Sequence, residues 1–165
     1  MDNQLLSFNT DRSWDNYLGF MMKVGEAPNK YLAVLLQDAP KVVLTRESTT
    51  TTTTLPNKFK RFEQIARNKE AETILLVDVN TDKCLVNKVH RLGNVEAAGL
   101  MLELTLLNSH DSSSESKQFY LTNIYIRPKA SYKDTRQLLE EIQDKCEGRF
   151  SRLIMAGDLN ATSAM

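Results

Sequence analysis

From Thr73 onward the apolar residues of this chain recur with a period of two, and no other feature restricts the possible fold as much. Leu100, Leu102, Leu104 and Leu106 alternate with Met101, Glu103 and Thr105, after the shorter runs Ile74-Leu75-Leu76-Val77 and Leu85 to Val89. Successive side chains of a strand point to opposite faces, so this spacing predicts consecutive strands. Phe119 to Ile126 is a further run rich in β-formers, ended by Pro128. The polar stretch Asn108 to Lys117 before it reads as a hairpin loop.

The first third of the chain mixes periods. Leu5 to Asn9 reads as a short strand, and Ser13 to Glu26 places Trp14, Tyr17, Leu18, Met21 and Met22 at helical spacing. After Pro28-Asn29 breaks that helix, Tyr31 to Leu36 is a continuous apolar run that stops at Gln37-Asp38, the pattern of a buried strand. The threonine tract Thr49 to Thr54 is expected to be an exposed loop spanning 48–55. Asn57 to Asn68 sets Phe59, Phe62, Ile65 and Ala66 against Lys58, Lys60, Arg61 and Arg67, which predicts a short basic amphipathic helix.

Near the C-terminus Ser131 can cap a helix with Asp134 in its first turn, with Leu138, Leu139, Ile142 and Cys146 on one face and Gly148 as the stop. Arg152 to Ala156 then predicts a buried strand that delivers Gly157-Asp158-Leu159-Asn160 at its end. Strands interleaved with helices argue for a layered α/β domain. Lys plus Arg and Asp plus Glu both number 21, so no global field draws the chain to nucleic acid, and any such contact is a local patch. Cys84 and Cys146 lack a CxxC partner or a histidine cluster and are expected as reduced thiols. No signal peptide and no apolar run of roughly 18 residues is seen, which gives the expectation of an intracellular protein without a membrane span.

Three strands end in carboxylates or amides: Asn9 and Asp11, then Gln37 and Asp38, then Asp158 and Asn160. Strand ends converge such groups in one cleft, and a hard cation such as Mg²⁺ takes oxygen ligands of this kind. Each group also has a plainer reading. Asn9 and Asp11 can cap the helix near Ser13, Asp38 can be a turn residue before Ala39-Pro40, and Tyr125 can be a half-buried sheet aromatic.

The order of the motifs resembles the endonuclease/exonuclease/phosphatase superfamily, and within it the apurinic-endonuclease-like domains of non-LTR (LINE-type) retrotransposons. Phe8-Asn9-Thr10-Asp11 is similar to the first motif of that family. Leu35-Leu36-Gln37-Asp38 is similar to the second, with Asp where Glu is usual. Asn123 to Pro128 is similar to the strand bearing a phosphate-contacting Tyr, and Met155 to Ala161 to the Gly-Asp-Phe-Asn motif.

The resemblance implies a four-layered α/β sandwich, two packed mixed sheets flanked by helices, of which residues 1–165 would be a partial domain without roughly the last third. It implies Mg²⁺, with Mn²⁺ as a substitute, on Asp38 and Asp11. Catalytic roles fall on Asp158, Asn160, Tyr125 and Asn9. Target DNA as partner makes Arg127, Lys58 and Arg61 the candidate nucleic-acid contacts. The intact parent would be a nuclear endonuclease fused to a reverse transcriptase, and the chain by itself would be weak or inactive. A phosphatase of the same superfamily and a non-catalytic binding module are the alternatives.

Overall fold

A computed structural model describes residues 3–43, 55–56, 58–107 and 117–160. Eight strands, β1 (Gln4–Asn9), β2 (Tyr31–Gln37), β3 (Phe59–Arg67), β4 (Glu72–Asn80), β5 (Cys84–Gly93), β6 (Ala97–Leu106), β7 (Gln118–Ile126) and β8 (Leu153–Asp158), form two four-stranded sheets. Their orders are β1-β2-β4-β3 and β5-β6-β7-β8. In each sheet one edge pair is parallel, β1 with β2 and β7 with β8, and the remaining neighbours are antiparallel. A parallel pair needs a crossover, and a helix supplies each one: α1 (Trp14–Gly25) after β1 and α2 (Tyr132–Lys145) after β7.

The second helix begins at the serine its sequence offers, whereas the first is capped by Ser13 itself and not by Asn9 or Asp11. The Ser13 Oγ accepts from the Asn16 N–H at 3.1 Å, and the Ser131 Oγ accepts from the Asp134 N–H at 3.1 Å. Among the described residues no helix is long and apolar enough to cross a membrane.

The layers follow from the two-residue period. On β2, Ala33 and Leu35 face the second sheet while Val34 and Leu36 face α1, and β4 divides Leu75, Val77 and Val79 from Ile74 and Leu76 in the same way. Leu100, Leu102 and Leu104 of β6 join the inter-sheet core, and Met101 turns toward Leu138 and Ile142 of α2. Central strands buried on both faces read as unbroken apolar runs. Each fully buried Leu contributes about 1.5–3 kcal/mol. The result is the four-layered α/β sandwich, helix, sheet, sheet, helix.

Three expectations are corrected. Residues 59–67 form a strand, not a basic helix, and both faces of that strand bear apolar groups: Phe62 and Ala66 toward the second sheet, Phe59 and Ile65 toward α1. That two-sided burial imitates helical spacing. The last strand is not buried, for Ile154 and Met155 are 40% and 46% exposed. Among the described residues it is an edge strand, and α2 packs chiefly over β5 and β6, reaching only Leu153 of β8. Leu139 points to solvent, while Leu138, Ile142 and Cys146 form the buried face of α2. The Thr49 to Thr54 tract, His110 and residues 108–116 of the expected hairpin loop lie outside the described residues.

Between the sheets a polar clamp interrupts the apolar core. Asn123, fully buried on β7, donates through Nδ2 to the carbonyls of Leu36 at 2.9 Å and Leu76 at 3.0 Å. Its Oδ1 accepts from Gln37 Nε2 at 2.7 Å, which also donates to Ser7 Oγ at 2.9 Å. These bonds tie β7 to β1, β2 and β4. Losing them removes an interior donor from two carbonyls and a partner from the Gln37 amide, at about 1–3 kcal/mol for each group left unsatisfied. Asn123→Leu is therefore expected to lower unfolding stability in urea by about 3 kcal/mol. The exposed control Asn87→Ala, which loses only a bond to Thr105 Oγ1, should stay within about 0.5 kcal/mol; equal losses would contradict the clamp.

Candidate active site

The C-terminal ends of β1, β2, β7 and β8 come together at one end of the sandwich. Asn9 is the register partner of Gln37 on β2, and its Nδ2 crosses to the other sheet to donate to Asp158 Oδ2 at 2.7 Å. Asp158 is in turn the register partner of Tyr125 on β7. The second carboxylate oxygen of Asp158, Oδ1, accepts from the Asn160 backbone N–H at 2.9 Å, and Asn160 Nδ2 donates to the Ile126 carbonyl at 2.6 Å. The first and last strands of the described chain thus meet at a single carboxylate whose two oxygens are both held.

Gly157 makes this approach possible. Its φ is +143°, and a Cβ there would lie 2.0 Å from the Ile124 carbonyl oxygen. Only glycine fits so close to β7.

Asp38 sits beside this pair on the other sheet, 6% exposed and in a left-handed conformation with φ 50°. Its carbonyl accepts from Thr10 Oγ1 and the Arg12 N–H, both at 2.8 Å, so the turns after β1 and β2 are bound to each other. The Asp38 carboxylate accepts from Arg12 Nε at 2.9 Å, and Arg12 Nη2 reaches the Glu72 carbonyl at 3.0 Å. The hydrogen bond to Asp38 raises the Arg12 guanidinium above its already high ordinary pKa. Tyr125, 7% exposed, lies within the field of Asp38, Asp158, Arg12 and Arg127. Burial first, and then the carboxylates of Asp38 and Asp158, push its phenol above the usual value.

Asn9, Asp38, Tyr125, Asp158 and Asn160 are therefore brought together. Asp11 lies in the same turn but is exposed; its backbone N–H donates to Asn9 Oδ1 at 2.8 Å. Arg127 stands at the rim, its Nη1 3.5 Å from Thr73 Oγ1 and its Nε 3.9 Å from Glu96.

Lys58 and Arg61 are not brought to the site. Lys58 is at the far end of the sheet, bonded to Asn29 and 3.7 Å from Asp82. Arg61 is held bidentately by its register partner Asp78, at 2.7 and 2.8 Å, and donates to the Tyr17 hydroxyl beneath α1. Alternation along β3 aims it at the helix. Arg67, at the correct end of β3, pairs with Glu72 at 3.2 Å and joins Arg12 and Arg127 in a basic rim around the start of β4.

Sequence reasoning overlooked Arg12 and gave Asn123 no role. For Asn123 a signal existed, since Leu121, Asn123 and Tyr125 share one strand face and a polar residue between two core positions calls for a partner. The donor set here is oxygen only, two carboxylates with neighbouring amides, which suits a hard cation and not zinc. Among the described residues no group of three or more His, Cys, Asp or Glu side chains gathers, so most of a cation's shell would have to come from water and substrate.

No family model and no curated protein sequence matches the chain. Solved structures do match it in fold. D. rerio TDP2 complexed with single strand DNA product is 15% identical with a TM-score of 0.61 over 96% of this chain and 61% of that one. ANGEL2, a 2',3'-cyclic phosphatase, is 11% identical with a TM-score of 0.65 over 96% and 53%. An endonuclease/exonuclease/phosphatase family protein from Bacteroides thetaiotaomicron is 10% identical with a TM-score of 0.65 over 94% and 61%. The chain spans between about half and two thirds of these structures, and at such identities the likeness is one of fold.

The Tyr125 environment has a measurable consequence. A phenol whose folded pKa is raised contributes stability that is complete below the ordinary value of 10.0 and is lost as pH climbs through the raised one. In an absorbance titration at 295 nm, the step missing from Tyr125→Phe is expected above pH 10.0. A missing step at or below that pH would contradict the buried, carboxylate-flanked placement.

Proposed function

We propose that this chain is the N-terminal part of a divalent-metal-dependent phosphodiesterase domain, in the manner of a retrotransposon-type DNA endonuclease. The observation that carries the reading is the 2.7 Å hydrogen bond from Asn9 to Asp158, which joins the two sheets beside Tyr125 and Asp38. Two carboxylates with amide and phenol donors at converging strand ends suit a phosphoester and a hard cation. Asp38 and the exposed Asp11 would hold the ion. When bound, such an ion neutralises charge that develops on phosphate oxygens.

The protein groups then divide the remaining work. Asp158 is fixed by bonds to both oxygens and keeps lone pairs to orient a water and take its proton. Asn9 sets the angle of that carboxylate. Tyr125 keeps its proton through neutral pH and donates to a non-bridging phosphate oxygen without adding negative charge. Asn160 would offer the second hydrogen of its amide, the first being given to the Ile126 carbonyl, to the transferring phosphoryl group. Arg127, and with it Arg67, lines the rim where a nucleic-acid backbone would run.

A DNA substrate is consistent with the single-strand DNA product bound by the TDP2 structure, and a phosphatase reading with the cyclic phosphatase. Fusion to a reverse transcriptase and a nuclear site of action follow from the retrotransposon reading. A non-catalytic binding module is the second reading, and the ion pair that already occupies Asp38 favours it.

Plasmid nicking separates these readings. With Mg²⁺, slow conversion of supercoiled to open-circular DNA is expected, lowered at least about tenfold by Asp158→Ala, the scale of a lost general base. Hydrolysis of bis-p-nitrophenyl phosphate but not of p-nitrophenyl phosphate would favour the diesterase over the phosphatase. Nicking equal in both chains, or absent together with any hydrolysis of bis-p-nitrophenyl phosphate, would sink the catalytic reading of this chain.

A further inference from the structure

The Arg12 side chain has a larger part in this site than a surface ion pair would. Arg12 lies between Asp11 and the N-cap Ser13, in a turn where both Asp11 and Arg12 adopt left-handed φ, 52° and 57°, and it faces Asp38, whose φ is 50°. Three demands of this kind in two facing turns, two of them at adjacent residues, are costly for residues with a Cβ. What maintains them is a set of bonds between the turns: Thr10 N–H to the Gln37 carbonyl at 3.0 Å, and Thr10 Oγ1 and Arg12 N–H to the Asp38 carbonyl, both at 2.8 Å. The outcome is a guanidinium delivered onto the Asp38 carboxylate from one side and onto the Glu72 carbonyl from the other.

The Asp38 side chain is 8% exposed and the Arg12 side chain 50%. The carboxylate is buried under the guanidinium, whereas the guanidinium still has an open side. A cation approaching from solvent toward Asp38 meets Arg12 first.

We infer that Arg12 is the resident counter-cation of Asp38 and occupies the place a divalent metal would take, so that metal binding requires its guanidinium to leave. This rests on the metal-dependent reading proposed above. Two cations competing for one carboxylate are linked thermodynamically, and the coupling acts equally in both directions. The displaced guanidinium keeps its charge and its fork of donors, and it is half exposed, so an anion can reach it from solvent. A phosphate group that engages this fork draws Arg12 from Asp38 and thereby frees the carboxylate for metal. The site is in this way biased against holding metal until an anionic substrate arrives.

Titration of the full chain with Mn²⁺ alone, by calorimetry, tests the inference without any turnover. Arg12→Gln is expected to bind Mn²⁺ about five- to a hundredfold more tightly than the unaltered chain, the usual range for a coupling of this sort. Asp38→Asn should abolish that binding in either background. Circular dichroism establishes that each variant is folded. Should Arg12→Gln fail to fold, Arg12→Met decides the matter: it keeps much of the apolar stem and removes the charge, so it should bind Mn²⁺ severalfold more tightly. Asp38-dependent binding that no Arg12 variant strengthens would overturn the inference and leave the metal reading intact. Mn²⁺ binding indifferent to Asp38→Asn would overturn both.

Discussion

Two buried amides, Gln37 and Asn123, determine how one sheet lies on the other. Packing of Leu35, Leu75, Leu100 and Leu102 supplies most of the attraction between the sheets, but apolar burial is non-directional and would tolerate a slip. The hydrogen bonds from Asn123 to the Leu36 and Leu76 carbonyls, and from Gln37 to Asn123, admit one offset only. In that offset Asn9 reaches Asp158 across the interface, and Tyr125, the register partner of Asp158, feels the charge of both Asp158 and Asp38. The candidate site is thus a consequence of sheet registration and not of any single loop.

Strain gathers at the same end. Asp11, Arg12, Asp38 and Asn160 all have positive φ, and Gly157 adopts a φ of 143° with no room for a side chain. Such conformations cost on the order of 1–3 kcal/mol each and persist where the surroundings over-determine them. Here the turns are held by bonds to one another, and the deeply buried clamp is what holds the strands that carry the turns. Arg12 pairs with Asp38, while Arg67 and Arg127 pair with Glu72 and Glu96 near the start of β4, so cationic groups lie at the same end as the strained turns.

Much of this was legible in the chain, and what was not shares one cause. Period two in β4 to β7, the Ser131 cap and the continuous run of β2 all reflect local geometry, and they appear where expected. The strand at 59–67 was misread because its two faces meet different cores, which produces helical spacing by coincidence. Its Arg61 looked like a solvent cation because Asp78 is 17 residues away and Tyr17 is 44. The apolar run of β8 could not reveal that its neighbour lies on one side only. Arg12 gave no sign at all, since its role depends on Asp38, 26 residues distant. By contrast Asn9, Asp38, Tyr125, Asp158 and Asn160 could be grouped from motif order, and the fold does gather them.

That gathering is what most needs measurement. A ¹⁵N-resolved NMR titration of the chain with Mg²⁺ observes it directly, through the backbone amides of Asp38 and Asp158 and the side-chain amides of Asn9 and Asn160. All four signals are expected to move together on a single isotherm, though they belong to the ends of three different strands and two sheets. Unmoved site signals, with shifts confined to surface carboxylates such as Glu140, Asp144 and Glu147 of the α2 region, would contradict a cation site at these strand ends.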